Sequence, residues 1–319
     1  MRLRFEQSSA RIFPSSALLA AILAVLLSIG VPGQPVHGDA AVDLNLELTS
    51  GYRLGGLRWN IAGDLYGTNP NILSELTWSD LRVYQIERLS EILVNDVVFR
   101  MSVGYGWITA GDNQDSDYNL DDRTDEWSRS YSDARGGFLF SGSAALGYRF
   151  RLWDEHLILK PLLGLAYNQQ AMVMTDGVRV IPPTGPVAGL NSRYVAHWGS
   201  MWTGAAIDAE IAEWLSLGVV LAVHGAAYIA LADWNLRPDF AHPVSFIHRA
   251  FGLGVEGEIS LDFLINQWWV LKCSFGIEYW EAGPGLDTTF KNDGSYLVTR
   301  LNEVVWRSMT FSIGPALRY

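Results

Sequence analysis

The sequence predicts an all-β fold: a transmembrane, antiparallel, up-and-down β-barrel of about ten strands. Past residue 38 there is no apolar run long enough for a membrane-spanning helix, yet 49% of the 319 residues are hydrophobic and 12% are aromatic. Apolar residues alternate with small or polar ones over segments of about ten to fifteen residues, the pattern of strands with one lipid face and one lumen face. The connections between these segments alternate between short and long.

The N-terminus is predicted to be a secretion signal. Basic residues come first, then an apolar stretch from about 17 to 31, then small residues, with Val36 and Gly38 placed for cleavage after Gly38. The alternative is an uncleaved membrane anchor, for which the apolar stretch is short. We therefore expect residues 1–38 to be a signal peptide and residues 39–319 to be the barrel with long extracellular loops.

The first predicted strand begins near Val42, where Leu44, Leu46 and Leu48 alternate with polar residues. Nine further segments have the same pattern, near 75–90, 95–110, 135–151, 157–173, 193–211, 214–232, 246–263, 267–282 and 305–319. An even number of strands is typical of bacterial outer-membrane barrels. The last strand ends on the aromatic Tyr319, which favours the same interpretation.

The connections predict the orientation of the barrel. Long ones are expected near 59–74, 111–134, 174–192, 233–245 and 283–304, and short ones near 91–94, 152–156, 211–213 and 264–266. Outer-membrane barrels have short periplasmic turns and long external loops. Because the mature chain starts in the periplasm, its first connection should be external, and that connection is long. The predicted location is the outer membrane of a Gram-negative-type bacterium.

Many tryptophans fall at predicted strand ends, where an amphipathic ring suits a membrane interface. They are Trp59, Trp78, Trp107, Trp153, Trp198, Trp202, Trp214, Trp268, Trp269, Trp280 and Trp306. Burial inside the protein is the alternative for each of them.

Charge and size narrow the function. A net charge of −11 argues against a nucleic-acid partner, since phosphate neutralisation needs a basic face. Cys273 is the single cysteine, so no intrachain disulfide can form. A barrel of this size is filled by its own side chains, which argues against a porin, the class that needs an open lumen. The function is therefore expected in the external loops.

The densest run of carboxylates, Asp112–Asp133, is predicted to be a solvent-exposed loop, because seven Asp and one Glu cannot be buried without protons, cations or water. Asp115 and Asp117 are two positions apart, so they share a face if the preceding strand continues upward. Two carboxylates this close do not both ionise readily, and one should hold a proton near neutral pH. Such a pair can position and deprotonate a water for peptide hydrolysis without a metal or cofactor.

Two other interpretations compete for this run. Acidic runs are usually solvated surface loops. Alternatively, five residues fall at positions 1, 3, 5, 7 and 12 of a calcium loop, but Leu120 takes the position that requires Gly and no helices flank the run. The five are Asp115, Asp117, Asn119, Asp121 and Glu126.

The chain resembles the omptins, a family of ten-stranded outer-membrane proteases. The resemblance runs from SELTWSDLRVYQIE through GYGWITAGDNQDSDY and TDEWSRS to GYRFRL, and returns at TFSIGPALRY. The omptin pattern of Asp-x-Asp and an aromatic is matched by Asp115, Asp117 and Tyr118. The following Thr-Asp-Glu-Ser is matched with Trp127 placed before the serine. The resemblance implies a proteolytic site at the barrel mouth.

In omptins an Asp-His pair faces the Asp pair across the mouth, within an acid-x-Asp-x-His run, and holds the attacking water. The matching residues are Asp233, Asn235 and Arg237. Asp233 keeps the acid that helps to bind a basic substrate side chain. Asn235 carries no charge, however, and Arg237 cannot accept a proton. A slip of the loop brings Asp239 and His242 into the role.

Other matches are partial. Gly55 stands where the family has an acid in the first loop, and His224 and His248 are further candidate histidines, each also explained as an ordinary lumen or strand-end residue. The omptin wall binds lipopolysaccharide through basic residues. Tyr167 matches there, while Gln169, Ala171 and His197 take the charged positions. Outer-membrane lipid is an expected partner, with lipopolysaccharide left open.

Two functions follow. The first is an omptin-like, aspartic-type endopeptidase acting on a peptide or protein without cofactor or metal. Its catalytic residues are Asp115, Asp117, Asp239 and His242, and its substrate-binding residues are Asp233, Asn235 and Arg237. The second is an omptin-like barrel without catalysis that binds a ligand or surface. The two differ in whether a histidine lies within reach, through one water, of Asp115 or Asp117.

Overall fold

The computed structural model describes residues 42–153 and 156–319. The predicted signal peptide, residues 1–38, lies outside this part of the chain. No helix with the length and apolar content needed to cross a bilayer occurs among the described residues. The fold is all-β, as the sequence predicts.

Thirteen strands make up the described chain, in one antiparallel sheet. They are β1 (Val42–Ile61), β2 (Ser74–Val94), β3 (Val97–Leu120), β4 (Thr124–Asp133), β5 (Phe138–Tyr148), β6 (Phe150–Leu152), β7 (Leu157–Ile181), β8 (Gly185–Ala212), β9 (Leu215–Asp233), β10 (Phe246–Leu264), β11 (Trp269–Ala282), β12 (Gly285–Phe290) and β13 (Tyr296–Arg318).

The sheet closes into a ring, because β13 pairs with β1 along nearly its whole length. Strands β4, β5 and β6 follow one another at a single position beside β7, and β4 and β5 also pair with β3. Strands β11 and β12 likewise share the position between β10 and β13. The ring therefore has ten positions, which confirms the predicted up-and-down barrel.

One end of the barrel has tight turns and the other has long connections, as predicted. Residues 95–96, 213–214 and 265–268 connect strands at the turn end. At the opposite end, the loop end, three of the five predicted long connections (111–134, 174–192 and 283–304) are mostly strand, whereas 59–74 and 233–245 are mostly irregular. The run 112–133, predicted to be a loop, is a β-hairpin of β3 and β4 around a turn at 121–123. Strand pairing continues past the apolar belt because the backbone N–H and C=O groups still need hydrogen-bond partners. The sequence there is polar and lacks the apolar alternation of a membrane strand, so these strand extensions were not predicted.

The outer wall carries an apolar belt of alternating side chains, such as Leu163, Leu165 and Phe251, all more than 60% exposed. This is the surface that faces lipid in a membrane barrel. The predicted interface tryptophans divide into two groups. Trp107, Trp153, Trp214, Trp268 and Trp269 are exposed, in keeping with the prediction. Trp59, Trp78, Trp198, Trp202, Trp280 and Trp306 are buried inside the barrel, so the interface prediction is wrong for them.

Buried aromatic rings fill the bore in its loop-end half. Trp59 on β1 and Tyr194 on β8 stack with ring centroids 5.9 Å apart, although β1 and β8 lie on opposite sides of the ring. Trp198 packs against Trp280 at 5.6 Å and against Tyr228 at 4.4 Å. We call this set the aromatic layer. It separates a cavity at the loop end from the lumen that opens toward the turn end.

This layer predicts that the barrel conducts no steady ionic current in a planar bilayer, because side chains from opposite walls meet. Removing both rings of one cross-bore contact, Trp59→Ala with Tyr194→Ala, should admit current. Trp153→Ala, on the exposed turn end, should not. Stepwise open channels in the wild-type protein would show that the layer does not close the bore.

Candidate functional site

A cavity of about 350 Å³ lies at the loop end, above the aromatic layer. Its lining comes from five parts of the chain: the β1–β2 hairpin, the β3–β4 hairpin, the β7–β8 hairpin, the connection from β9 into the start of β10, and the β12–β13 hairpin. Both Asp115 and Asp117 line it. The sequence prediction that they share a face of a continuing strand is thus confirmed.

A bulge turns this carboxylate pair inward. Lower on β3, even-numbered residues face the bore: Ile108 is 2% exposed, whereas Trp107 is 44% exposed. The pairing of β2 with β3 then shifts register between Ser79 and Arg82. Opposite lies Gly111, where a Cβ would come within 2.6 Å of a Leu81 methyl group. Beyond the bulge the odd-numbered residues face inward instead.

Burial raises the pKa of both carboxylates of the pair. For Asp115 desolvation is the largest cause, followed by repulsion from Asp117, while Arg237 and a hydrogen bond from the Trp234 side chain act in the opposite direction. For Asp117 desolvation is again the largest cause, opposed by hydrogen bonds from Ser74 and Ser128. The pair therefore favours holding one proton near neutral pH.

The opposite wall is cationic and aromatic. Arg237 and Lys291 lie over the Phe240 ring, with Cζ and Nζ 4.1 and 4.4 Å from its centroid. Asp239 accepts two hydrogen bonds of 3.0 Å from Arg237 and lies 3.5 Å from Lys291 Nζ. Its pKa is held at about 2, chiefly by the hydrogen bonds from Arg237. Arg179 adds a further cation to the cavity lining. We call Arg237, Asp239, Phe240 and Lys291 the cationic cluster.

Asn235 fixes the loop that carries this cluster. Its Oδ1 accepts hydrogen bonds from the Asn191 backbone N–H at 2.9 Å and from Ser192 Oγ at 3.0 Å, and its Nδ2 donates to the Gly189 carbonyl at 2.8 Å. Asn235 does not line the cavity. Its contacts are structural, and they hold the following residues, Arg237 included, over the cavity.

The expected pairing of Asp239 with His242 does not form. Asp239 is hydrogen-bonded to Arg237 instead, and His242 Nδ1 lies 2.6 Å from Asp233 Oδ1. This hydrogen bond to Asp233 raises the pKa of His242. Neither Asp233, Asp239 nor His242 lines the cavity, and no histidine is among its described lining residues. The prediction failed because a bidentate guanidinium is the stronger partner for a carboxylate.

A buried polar chain lies beneath the cavity. His248 is fully buried; its Nδ1 lies 2.9 Å from the Tyr194 hydroxyl, which lies 2.6 Å from that of Tyr228. Its Nε2 is 3.3 Å from Asp287 Oδ1. Asp287 also accepts hydrogen bonds from two threonine hydroxyls and contributes to the cavity lining. His248, one of the candidate histidines, is therefore part of the floor structure. His224 lies below, beside Glu256 in the lumen.

The hairpin residues proposed as calcium ligands have other partners. Glu126 forms hydrogen bonds of 2.7 and 2.5 Å with Arg129, and Asp121 accepts one from the Asn71 backbone. Asp115 and Asp117 line the cavity, whereas Asn119 lies beyond a register shift at Asp117 and Tyr118, is exposed and donates from Nδ2 to Asp125 Oδ2. On the barrel wall, the Tyr167 hydroxyl lies 2.7 Å from His197 Nδ1, a contact between two groups that carry no fixed charge.

Several cavity residues were missed by sequence reasoning: Trp127, Arg179, Trp234, Phe240 and Lys291. They come from four separate connections, and no spacing in the sequence joins them. The local signal was the position of Trp127, Trp234 and Phe240 beside residues already singled out.

The closed ring, the apolar belt and the long connections at one end define an outer-membrane β-barrel. The structure is similar to the outer membrane protease OmpT from Escherichia coli, with a TM-score of 0.72 and 8% identity over 90% of this chain and 99% of that chain. It also matches the translocator domain of the autotransporter NalP from Neisseria meningitidis, with 12% identity over 95% of each chain and a TM-score of 0.36. At 8% identity the likeness to OmpT shows the fold alone. No curated protein matches the sequence significantly.

The family model of the Protochlamydia outer membrane protein, Pom, matches residues 47–317. The chain belongs to this family. It is a protein of the bacterial outer membrane, as the sequence predicted.

The raised pKa of Asp115 makes a prediction about stability and pH. Because the folded state holds this proton more tightly than the unfolded chain, the wild type should lose stability as pH rises from about 4 toward the raised pKa. Asp115→Asn removes the charge, so the melting temperature of this variant should fall less over that interval than the melting temperature of the wild type. Near pH 4 and below, where Asp115 becomes protonated in both states, this pH-dependent difference between the two proteins should disappear. Thermal unfolding in detergent across the pH range measures both. Asp112→Asn, at an exposed site on the same strand, should behave as the wild type; equal slopes for Asp115→Asn and the wild type would contradict the prediction.

Proposed function

We propose that this protein is a surface receptor that binds a peptide or protein segment in the loop-end cavity, without cleaving it. The observation that carries the proposal is the composition of the cavity: the Asp pair on one wall, Arg237 of the cationic cluster on the other, and no histidine among the described lining residues. The long connections, and hence the cavity, are expected on the outside of the cell.

The cavity suits an extended peptide. Its volume of about 350 Å³ is at the lower end of the range for ligand pockets, roughly 300–1,000 Å³. The rings of Trp127, Trp234 and Phe246 offer apolar surface to side chains. Asp115 and Asp117 can accept N–H groups, and Arg237 and Arg179 can donate to carbonyl or carboxylate oxygens. A ligand that carries both N–H donors and carbonyl or carboxylate acceptors can therefore form hydrogen bonds with both walls.

The walls are also rigid, which favours affinity. Arg237 is held by Asp239 and by the Phe240 ring, and the loop around it by Asn235. The hairpin that carries the Asp pair is tied to the first connection by Asn71, whose side chain donates to Asp122 and accepts from its N–H. Few side chains and loops of the cavity therefore have to become ordered when a ligand binds.

The test is selection of binders from a peptide library on the purified, folded barrel, followed by titration of the best binder. Arg237→Gln and Asp117→Asn should each weaken binding about tenfold or more, as expected for a lost charge-assisted hydrogen bond. Arg135→Gln changes the same charge outside the cavity and should leave affinity unchanged. Failure to select any binder, or equal losses for Arg237→Gln and Arg135→Gln, would remove the proposal.

A second candidate is the endopeptidase, favoured by the raised pKa values of the Asp pair. In this mechanism the ionised carboxylate takes a proton from a bound water as the water oxygen attacks the peptide carbonyl carbon. Arg237 donates hydrogen bonds to the resulting oxyanion. The protonated carboxyl then gives its proton to the leaving amine as the C–N bond breaks. Asp239 and His242 take no part.

Turnover of a peptide library by the purified barrel tests this candidate. If it holds, Asp117→Ala should abolish cleavage, whereas His242→Ala should leave the rate within about threefold, because the Asp233–His242 pair lies off the cavity. Loss of cleavage with His242→Ala would instead assign that pair a role. Absence of turnover with every library peptide rejects the endopeptidase and leaves the receptor.

A further inference from the structure

The lumen below the aromatic layer holds a second polar cavity of about 180 Å³, in the middle of the barrel. It adjoins a wider vestibule of about 680 Å³ at the turn end, with which it shares Glu47, Arg100 and Lys272 as lining residues. None of these residues belongs to the loop-end cavity. The mid-barrel cavity can therefore be reached from the turn end and has its own chemistry.

Carboxylates outnumber cations in this cavity. Five line it, Glu47, Glu87, Glu256, Glu258 and Glu278, against three cationic side chains, Arg53, Arg100 and Lys272. Glu47 and Glu258 lie 3.0 and 3.7 Å from Lys272 Nζ, and Glu278 pairs with Arg53 at 2.9 Å. Within the described chain, Glu87 and Glu256 have no salt bridge to an Arg or Lys. Two carboxylates are left for a cation from outside.

The buried imidazole of His224 also lacks a hydrogen-bond partner on the side that faces Glu256 in this cavity. His224 is 2% exposed and lines the cavity. Its Nδ1 lies 3.1 Å from Ser200 Oγ, but its Nε2 has no hydrogen-bond partner. The nearest acidic atom is Glu256 Oε2 at 3.6 Å. In the tautomer whose Nδ1–H donates to Ser200 Oγ, Nε2 and Glu256 Oε2 are two acceptors that face each other without a donor between them. In the other tautomer Nε2–H points toward Glu256 Oε2 across 3.6 Å, a separation too long for a hydrogen bond.

We propose that this cavity binds a linear aliphatic diamine. One ammonium group donates to Glu256 Oε2 and His224 Nε2, and the second donates to Glu87. Glu87 lies on β2 and Glu256 on β10, on different walls of the bore, so a ligand with one ammonium group at each end can pair with both carboxylates. The described residues also contain no cluster of three or more metal-ligating side chains. An ammonium group, with three donors and a positive charge, satisfies each end.

The experiment is calorimetric titration of the purified, folded barrel with 1,4-diaminobutane, with 1,4-butanediol as a probe of equal length without charge. Saturable binding of one diamine per barrel, and none of the diol, is expected. Glu256→Gln and Glu87→Gln, which keep shape and remove one charge, should each weaken binding at least tenfold. Glu281→Gln makes the same charge change at an exposed position on β11 and should leave binding unchanged. Gel mobility before and after heating establishes that each variant is folded.

The absence of saturable heat in the wild type overturns the proposal. So do equal effects of Glu281→Gln and Glu256→Gln, which indicate general attraction to an acidic protein. Saturable binding of zinc chloride at Glu256, with none of the diamine, assigns the cavity to a metal ion and overturns the proposal as well. None of these outcomes bears on the loop-end cavity, because the aromatic layer lies between the two.

Discussion

The closed ring of strands is the constraint on which the rest of the structure depends. In lipid every backbone N–H and C=O must find a partner within the protein, and only a helix or a closed barrel achieves this. Closure through β1 and β13 then sends every second side chain into the bore. Ten positions enclose a space that side chains can span, and here Trp59 and Tyr194 meet across it. What fills the bore decides what the barrel can do.

The aromatic layer divides the bore into two chambers with different chemistry. Above it, the paired strands of the hairpins continue past the apolar belt and form firm walls, so Asp115 and Asp117 are carried on a hydrogen-bonded ladder. Below it, the charged side chains of the lumen are largely paired with one another, as Lys272 is with Glu47. A ligand in either chamber meets groups that are already in place.

Much of the fold could be predicted from the sequence, because the two-residue period is a local property of each strand. The strand ends at the loop end were mispredicted, since the polar extensions of β3 and β4 lack the apolar face that reveals the period. Bulges were a second source of wrong predictions, because a bulge cannot be located from the sequence. The bulge opposite Gly111 exchanges the inward and outward faces of β3. A tryptophan near a strand end can likewise face inward or outward. The burial of Trp59 and Trp198 inside the barrel could therefore not be predicted from their positions in the sequence.

The candidate site was only half predictable for a related reason. Asp115 and Asp117 are neighbours on one strand, so their common face follows from spacing. The opposite wall is assembled from separate connections, whose meeting depends on the closed ring. Asp239 and His242 were predicted as a shifted match to the Asp-His pair of the omptins, but Arg237 is nearer to Asp239 in the sequence and donates two parallel hydrogen bonds to it.

Arg237 carries the functional argument, because it places a permanent positive charge in the cavity with the Asp pair. A histidine facing the Asp pair can exchange a proton with a bound water, whereas a guanidinium can only donate hydrogen bonds and lower the free energy of nearby anions. Its surroundings suit the second role: Asp239 and the Phe240 ring fix its orientation, which is what binding an oxygen-rich ligand requires. Hydrolysis at this site has to draw both its base and its acid from Asp115 and Asp117, whereas binding uses all of the groups as they stand.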